Sequence, residues 1–182
     1  MKGKVQLTAS RSTLKNLLLG ILLVAGCAAP NSAMIGKASS DISLRDLDNQ
    51  PIKLSNYQGK QSLVLVFYHS STWRPCIERL GELQSKLSDI RALDSEVIAL
   101  SNRGDVKDVQ RTRDQLRLTF PLVPRPTTQV IKDFDLSTNK FGISYGTVII
   151  DKKGIVRYVH DSSNELEYPS VSEILRVLHK IR

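Results

Sequence analysis

The sequence predicts an α/β domain: a central mixed β-sheet flanked by helices, with an N-terminal β-hairpin extension. Three observations carry that expectation. The run SLVLVFYH at 62–69 is continuously apolar and rich in β-branched residues, as a central strand buried on both faces must be. Segments with apolar residues three and four apart alternate with strand-like segments around it. Of 182 residues, 41% are apolar and 24% charged, enough to bury a core and unlike a disordered or collagen-like chain.

Each element follows in order. Residues 41–55 read as a hairpin, because Ile42, Leu44 and Leu47 lie close to alternation, DNQP supplies a turn and PIKLS returns. After the 62–69 strand, the stretch 75–93 predicts one helix, since Ile77, Leu80, Leu83, Leu87 and Ile90 form a single stripe at some cost from Gly81. SEVIALS at 95–101 is a strand, and this β-α-β crossover favours parallel pairing. A helix over 106–118, a short extended TFPLV and a helix over 127–136 come next, followed by a polar loop at 137–142. GTVIID and GIVRYVH flank DKKG as a hairpin whose Gly154 takes the positive φ of the turn. The stripe Val171, Ile174, Leu175, Leu178 and Ile181 makes 169–182 a final amphipathic helix.

The amino terminus reads as an address. Residues 1–15 are basic and polar, and LLLGILLVAG at 17–26 is too short to span a bilayer, which needs about 20 residues. That layout is a secretory signal peptide over 1–26. LVAGC resembles the lipobox of bacterial lipoproteins, which implies lipidation of Cys27, a tether over 27–40 and a folded domain over 41–182. The resemblance places the protein in a bacterial cell envelope, lipid-anchored and facing the periplasm or extracytoplasmic space. The alternative for the same residues is an ordinary signal peptide or a short uncleaved anchor. The formal charge of +8 comes from 26 basic and 18 acidic residues, but four of the basic ones lie in the leader. What remains gives no reason to expect a nucleic-acid partner. The run Arg103, Lys107, Arg111, Arg113 and Arg117 is interleaved with Asp105, Asp108 and Asp114 and reads as a solvated helix face. Two cysteines exclude a disulfide scaffold, and His69, His160 and His179 have no metal-ligand spacing, so neither metal nor cofactor is expected.

The order of elements is that of a thioredoxin-like fold. SLRDLDNQPIKLSNYQGK, SLVLVFYHSSTWRPCIERLGEL, TFPLV and VIIDKKGIVRYVH resemble the peroxiredoxins of the alkyl hydroperoxide reductase and thiol-specific antioxidant group over residues 40–161. The resemblance implies that Cys76 is the peroxidatic cysteine, in an active-site loop of Thr72, Trp73, Arg74 and Pro75, with Leu80 at the expected fourth position after it. It implies antioxidant activity on a hydroperoxide or disulfide substrate, with an external thiol as reductant. Three positions depart from the family pattern. Trp73 stands where the family holds a thiolate-bonding Thr or a first Cys, leaving Thr72 one residue out of register. Pro75 directly precedes Cys76, and ISYGTVIID has neither the Arg nor the Pro expected there.

Elementary chemistry at Cys76 points the same way. A cysteine in the first turn of a helix meets unpaired N–H groups and the positive end of the helix dipole, which favours thiolate. Arg74, or alternatively His69 or Arg79, adds positive charge. An accessible thiol titrating below the ordinary value of about 8.5 is expected. Missing Thr and Arg partners would slow it, since losing one such donor costs about a hundredfold to a thousandfold. Two functions stay open here: a membrane-tethered one-cysteine peroxidase, and a non-catalytic thioredoxin-fold lipoprotein used for partner binding.

Overall fold

Leu44 and Ile52 face each other across two three-residue antiparallel strands, β1 (Ser43–Arg45) and β2 (Pro51–Lys53). They are buried while their neighbours are exposed, so the hairpin is half-buried by alternation. The computed structural model describes residues 32–103, 105–138, 145–162 and 167–182. The expected leader, the expected lipidation residue Cys27, Ser144 and residues 139–142 of the polar loop fall outside them. A single 3-10 turn at Leu54–Tyr57, not foreseen from the sequence, leads into β3 (Ser62–Tyr68).

All seven side chains of β3 are buried, as its uninterrupted apolar run requires. The strand lies in the middle of a five-stranded sheet, with β4 (Ser95–Ser101) and β5 (Leu122–Pro124) on one side and β6 (Tyr145–Ile150) and β7 (Val156–Ser162) on the other. β3, β4 and β5 run parallel, whereas β6 is antiparallel to both β3 and β7, so the sheet is mixed as expected. Alternation sorts the core into two layers. Val64, Val66 and Tyr68 pack with Leu80, Ile90, Val109 and Ile174 on one face. Leu63, Leu65 and Phe67 pack with Leu44, Ile52, Ile131 and Phe134 on the other.

Helices cover both faces: α1 (Arg74–Ser85), α2 (Leu87–Arg91), α3 (Val106–Leu116), α4 (Thr128–Asp133) and α5 (Val171–Ile181). The single helix expected over 75–93 is two. The break falls at Lys86 (φ −112, ψ 9), not at Gly81, through which α1 passes unbroken. Leu83, Leu87 and Ile90 nevertheless stay in one cluster, so the sheet keeps its cover across the break. Asp105 and Ser170 cap α3 and α5, their side chains accepting from Asp108 N–H at 2.8 Å and Glu173 N–H at 3.2 Å. Gly154 has φ +78 in the β6–β7 turn, as expected of the DKKG hairpin.

The expected tether differs in its second half. Gly36 N–H donates to Val156 O at 2.8 Å, Val156 N–H to Lys37 O at 2.9 Å and Ser39 N–H to Gly154 O at 2.8 Å, so residues 36–39 lie along the start of β7. Met34 packs on the second core layer, which gives this stretch an apolar hold that its small polar composition did not suggest. Among the described residues, no helix is long and apolar enough to cross a membrane.

Candidate active site

β3 ends at Tyr68, and five residues later the chain enters α1. Arg74 is its first residue, Pro75 its second and Cys76 its third. Proline suits that opening turn, where its missing N–H is not needed by the helix. The intervening loop is anchored on both sides. Asn102 N–H donates to Tyr68 O at 2.8 Å and Arg103 N–H to His69 O at 2.7 Å, while the Thr112 hydroxyl of α3 donates to Ser71 O at 2.8 Å. Strand and helix thus fix where the cysteine stands.

The Cys76 side chain has no exposed surface. That corrects the expectation of an accessible thiol, and the cause is a cover supplied from distant segments. Tyr68, 1% exposed, closes one side. Tyr168, just before α5, hydrogen-bonds the thiol through its hydroxyl, which also lies 3.4 Å from Phe67 O. Burial, then the negative charge and hydrogen bond at Cys76, raise the Tyr168 phenol far above its ordinary value. Tyr68 is raised as well, mainly by burial. Both phenols therefore remain neutral through the physiological range. The Tyr145 ring lies 6.2 Å from the His69 ring, edge to face.

Positive charge reaches this side from Arg79, one of the alternatives to Arg74 that the sequence offered. Arg74, expected to support the thiolate, points outward with its side chain 88% exposed and pairs with Glu78 at 2.7 Å. Arg79 is the buried cation, 5% exposed, with its guanidinium carbon 5.7 Å from the centroid of the Tyr168 ring. Its Nη1 reaches Glu82 Oε2 at 3.5 Å, whereas Nε and Nη2 are buried without a hydrogen-bond partner. Burial pulls the Arg79 pKa down against Glu82, yet a guanidinium stays charged at neutral pH. Thr72 is turned away: its hydroxyl is 3.0 Å from that of Ser70, and its N–H donates to the same oxygen. Trp73, the residue before α1, has extended backbone angles and is 43% exposed, and Pro75 is half-buried.

Cys76, Tyr68 and Arg79 are thus buried with the partly buried Tyr168 bridging the thiol and the guanidinium, while Thr72, Trp73 and Arg74 are exposed. Tyr168 escaped sequence reasoning altogether. It lies outside every motif, and only the return of α5 against the sheet brings it to the thiol.

The chain as a whole has relatives among known proteins. Residues 35–159 match the AhpC/TSA family. The chain belongs to that family. Within AhpC/TSA it is 30% identical over 138 residues to the putative peroxiredoxin ycf42 of Trieres chinensis, covering 72% of this chain and 67% of that protein. It is 28% identical over 127 residues to alkyl hydroperoxide reductase E of Mycobacterium tuberculosis, covering 68% and 82%. Peroxidoxin BcpB from Mycobacterium tuberculosis superposes with a TM-score of 0.71 at 20% identity, over 82% of this chain and 98% of that one. The reduced 2-Cys peroxiredoxin of Plasmodium vivax superposes at 0.70 and 20% identity, over 81% of each chain. The likeness to these two structures is one of fold, the thioredoxin-like fold.

Proposed function

We propose that the chain is a thiol peroxidase that works through Cys76 by a one-cysteine cycle, held at an envelope membrane by a lipid on Cys27. The carrying observation is the thiol in the first turn of α1 with a neutral phenol bonded to it and a buried guanidinium behind that phenol. The names of the AhpC/TSA relatives support the same reading.

The cycle balances as follows. The Cys76 thiolate attacks one oxygen of a hydroperoxide, the O–O bond breaks, and the alkoxide leaves as an alcohol after taking a proton. Sulfur has gained oxygen as sulfenic acid and is oxidised by two electrons. An external thiol condenses with it, releasing water and leaving a mixed disulfide. A second thiol frees Cys76 and departs as disulfide. The sequence holds one other cysteine, Cys27, and its lipidation would remove it from this chemistry. Because the sulfur is buried, peroxide reaches it only when the first turn of α1 or the Tyr168 segment shifts.

That burial is also the observation favouring a second reading, a redoxin domain that retains the fold for partner binding. Hydroperoxide consumption with dithiothreitol as reductant separates the two. The wild-type protein is expected to turn over slowly and to trap a dimedone-type probe at Cys76, and Cys76→Ser to do neither. A folded wild-type protein that neither consumes peroxide nor takes the probe would establish the binding reading.

A further inference from the structure

We propose that the end of the domain opposite Cys76 is a docking surface for anionic lipid headgroups, which holds the cysteine end turned toward solvent. The inference rests on the lipid-anchor reading of Cys27 and adds an orientation that this reading does not supply.

Strand direction defines the two ends. β3 runs toward Cys76, and its first residues pair with the last of β6, Leu63 opposite Ile150. The β6–β7 turn therefore lies at the far end, separated by the length of a seven-residue strand, about 20 Å. There the turn and the end of α5 border an open cavity of about 450 Å³ lined by the basic Lys152, Lys153, Arg157, Lys180 and Arg182 together with Asp151 and Ile181. Asp151 neutralises Arg157 at 2.6 Å and Asp94 neutralises Lys152 at 2.9 Å. Lys153 and Lys180 make no ion pair among the described residues, whereas the charge of Arg182 acts on Asp94. Two further cations join this end through the backbone: Lys37 O accepts from Val156 N–H, and Gly59, next to Lys60, donates to Lys152 O.

The anchor leaves from the same place. Residues 36–39 are hydrogen-bonded to the start of β7, beside this cluster. Between Cys27 and Ser32 lie only four residues, which fully extended reach at most about 18 Å. A lipid on Cys27 thus brings this basic end, and not the Cys76 end, to the headgroup layer. Over the last few ångströms, attraction between unpaired lysines and anionic lipids acts within one Debye length, about 8–10 Å. One acyl attachment point leaves a domain free to tumble, whereas a charged face beside it selects one orientation.

The test uses the mature, membrane-extracted protein in vesicles of phosphatidylcholine alone or mixed with an equal part of phosphatidylglycerol. Exposed amines are acetylated with a water-soluble reagent and read by mass spectrometry. Lys153 and Lys180 are expected to be protected several-fold on the mixed vesicles only, with the effect lost in high salt. Lys107, at the Cys76 end, should label equally on both. Each of Lys153→Gln and Lys180→Gln should reduce the protection of the other by up to about fivefold, the equivalent of one surface cation. Equal labelling on the two vesicle types, or protection indifferent to salt, would overturn the docking surface while leaving the anchor intact. An intact mass without acyl chains would instead overturn the anchor. In that event low-salt retention of the protein on mixed but not neutral vesicles decides for the charged face, and its absence decides against it.

Discussion

Arg79 keeps a full charge in the interior with Nε and Nη2 unpaired, an arrangement that stability alone does not favour. Replacing a buried ion pair with apolar side chains is often neutral or stabilising by about 1–4 kcal/mol, and here the partner Glu82 is itself exposed, so losing Arg79 strands no buried charge. Arg79→Met is therefore expected to hold or raise the urea midpoint while slowing Cys76 oxidation at least about tenfold, the loss of one charged group from a reacting site. A drop in stability without a change in oxidation rate would show the guanidinium to be merely structural. Tyr168→Phe removes the hydroxyl bonded to the thiol. A hydrogen bond to a charged partner contributes about 1.5–3 kcal/mol, so the variant should oxidise about tenfold to a hundredfold more slowly, with its thiol titrating higher in a pH profile of alkylation. Because burial and Cys76 hold the phenol above its ordinary value of about 10, wild-type oxidation should show no loss from Tyr168 ionisation below that pH.

At the scale of elements, the β6–β7 turn depends on one carboxylate. Asp151, 6% exposed, accepts from Lys153 N–H at 2.8 Å, from Ile155 N–H at 2.9 Å and from Arg157 at 2.6 Å. Burial opposes its charge, but the Ile155 N–H, Arg157 and the Lys153 N–H together hold its pKa below the ordinary value. A carboxylate depressed on folding stabilises above its unfolded pKa of about 3.9, and that contribution disappears as pH falls through the lower folded value. Asp151→Asn should thus lose about 1–3 kcal/mol at neutral pH and shed part of the acid sensitivity, as urea midpoints from pH 7 down to pH 2 would record. Helix caps offer a simpler case. Asp105→Ala should cost about 1 kcal/mol in thermal or urea unfolding, since it strands the Asp108 N–H. These elements were largely legible in the sequence. β3 and α5 announced themselves by an apolar run and by a stripe, because both signals are local. The division of α1 from α2 was not legible, since the stripe continues across Lys86 and a change of helix direction leaves no mark on spacing.

For the whole molecule, the cysteine could be located from the loop and the helix that follows it, but its surroundings could not. Tyr168 and the inward turn of Arg79 depend on how the segment before α5 returns to α1, a contact between segments far apart in sequence. Arg74 looked the better cation by proximity to Cys76, and the first helical turn instead sends it to solvent beside Glu78. The anchor reading makes its own whole-chain prediction. Cys27→Ala should release the protein from the membrane fraction, because no described helix could replace a lipid. Retention of that variant at high salt would remove the lipoprotein reading.

The two borders of the central sheet are treated alike, and that affects how many copies can share a crowded surface. An open border strand offers its N–H and C=O groups to any extended segment, including the same strand of another molecule. At β7 the first of these groups are taken by residues 36–39 of the same chain. At β5, only three residues long and ending in Pro124, the Leu122 carbonyl is already taken by Leu47 N–H at 2.8 Å. At high local concentration, neighbouring copies meet borders already partly occupied, which disfavours strand-to-strand aggregation.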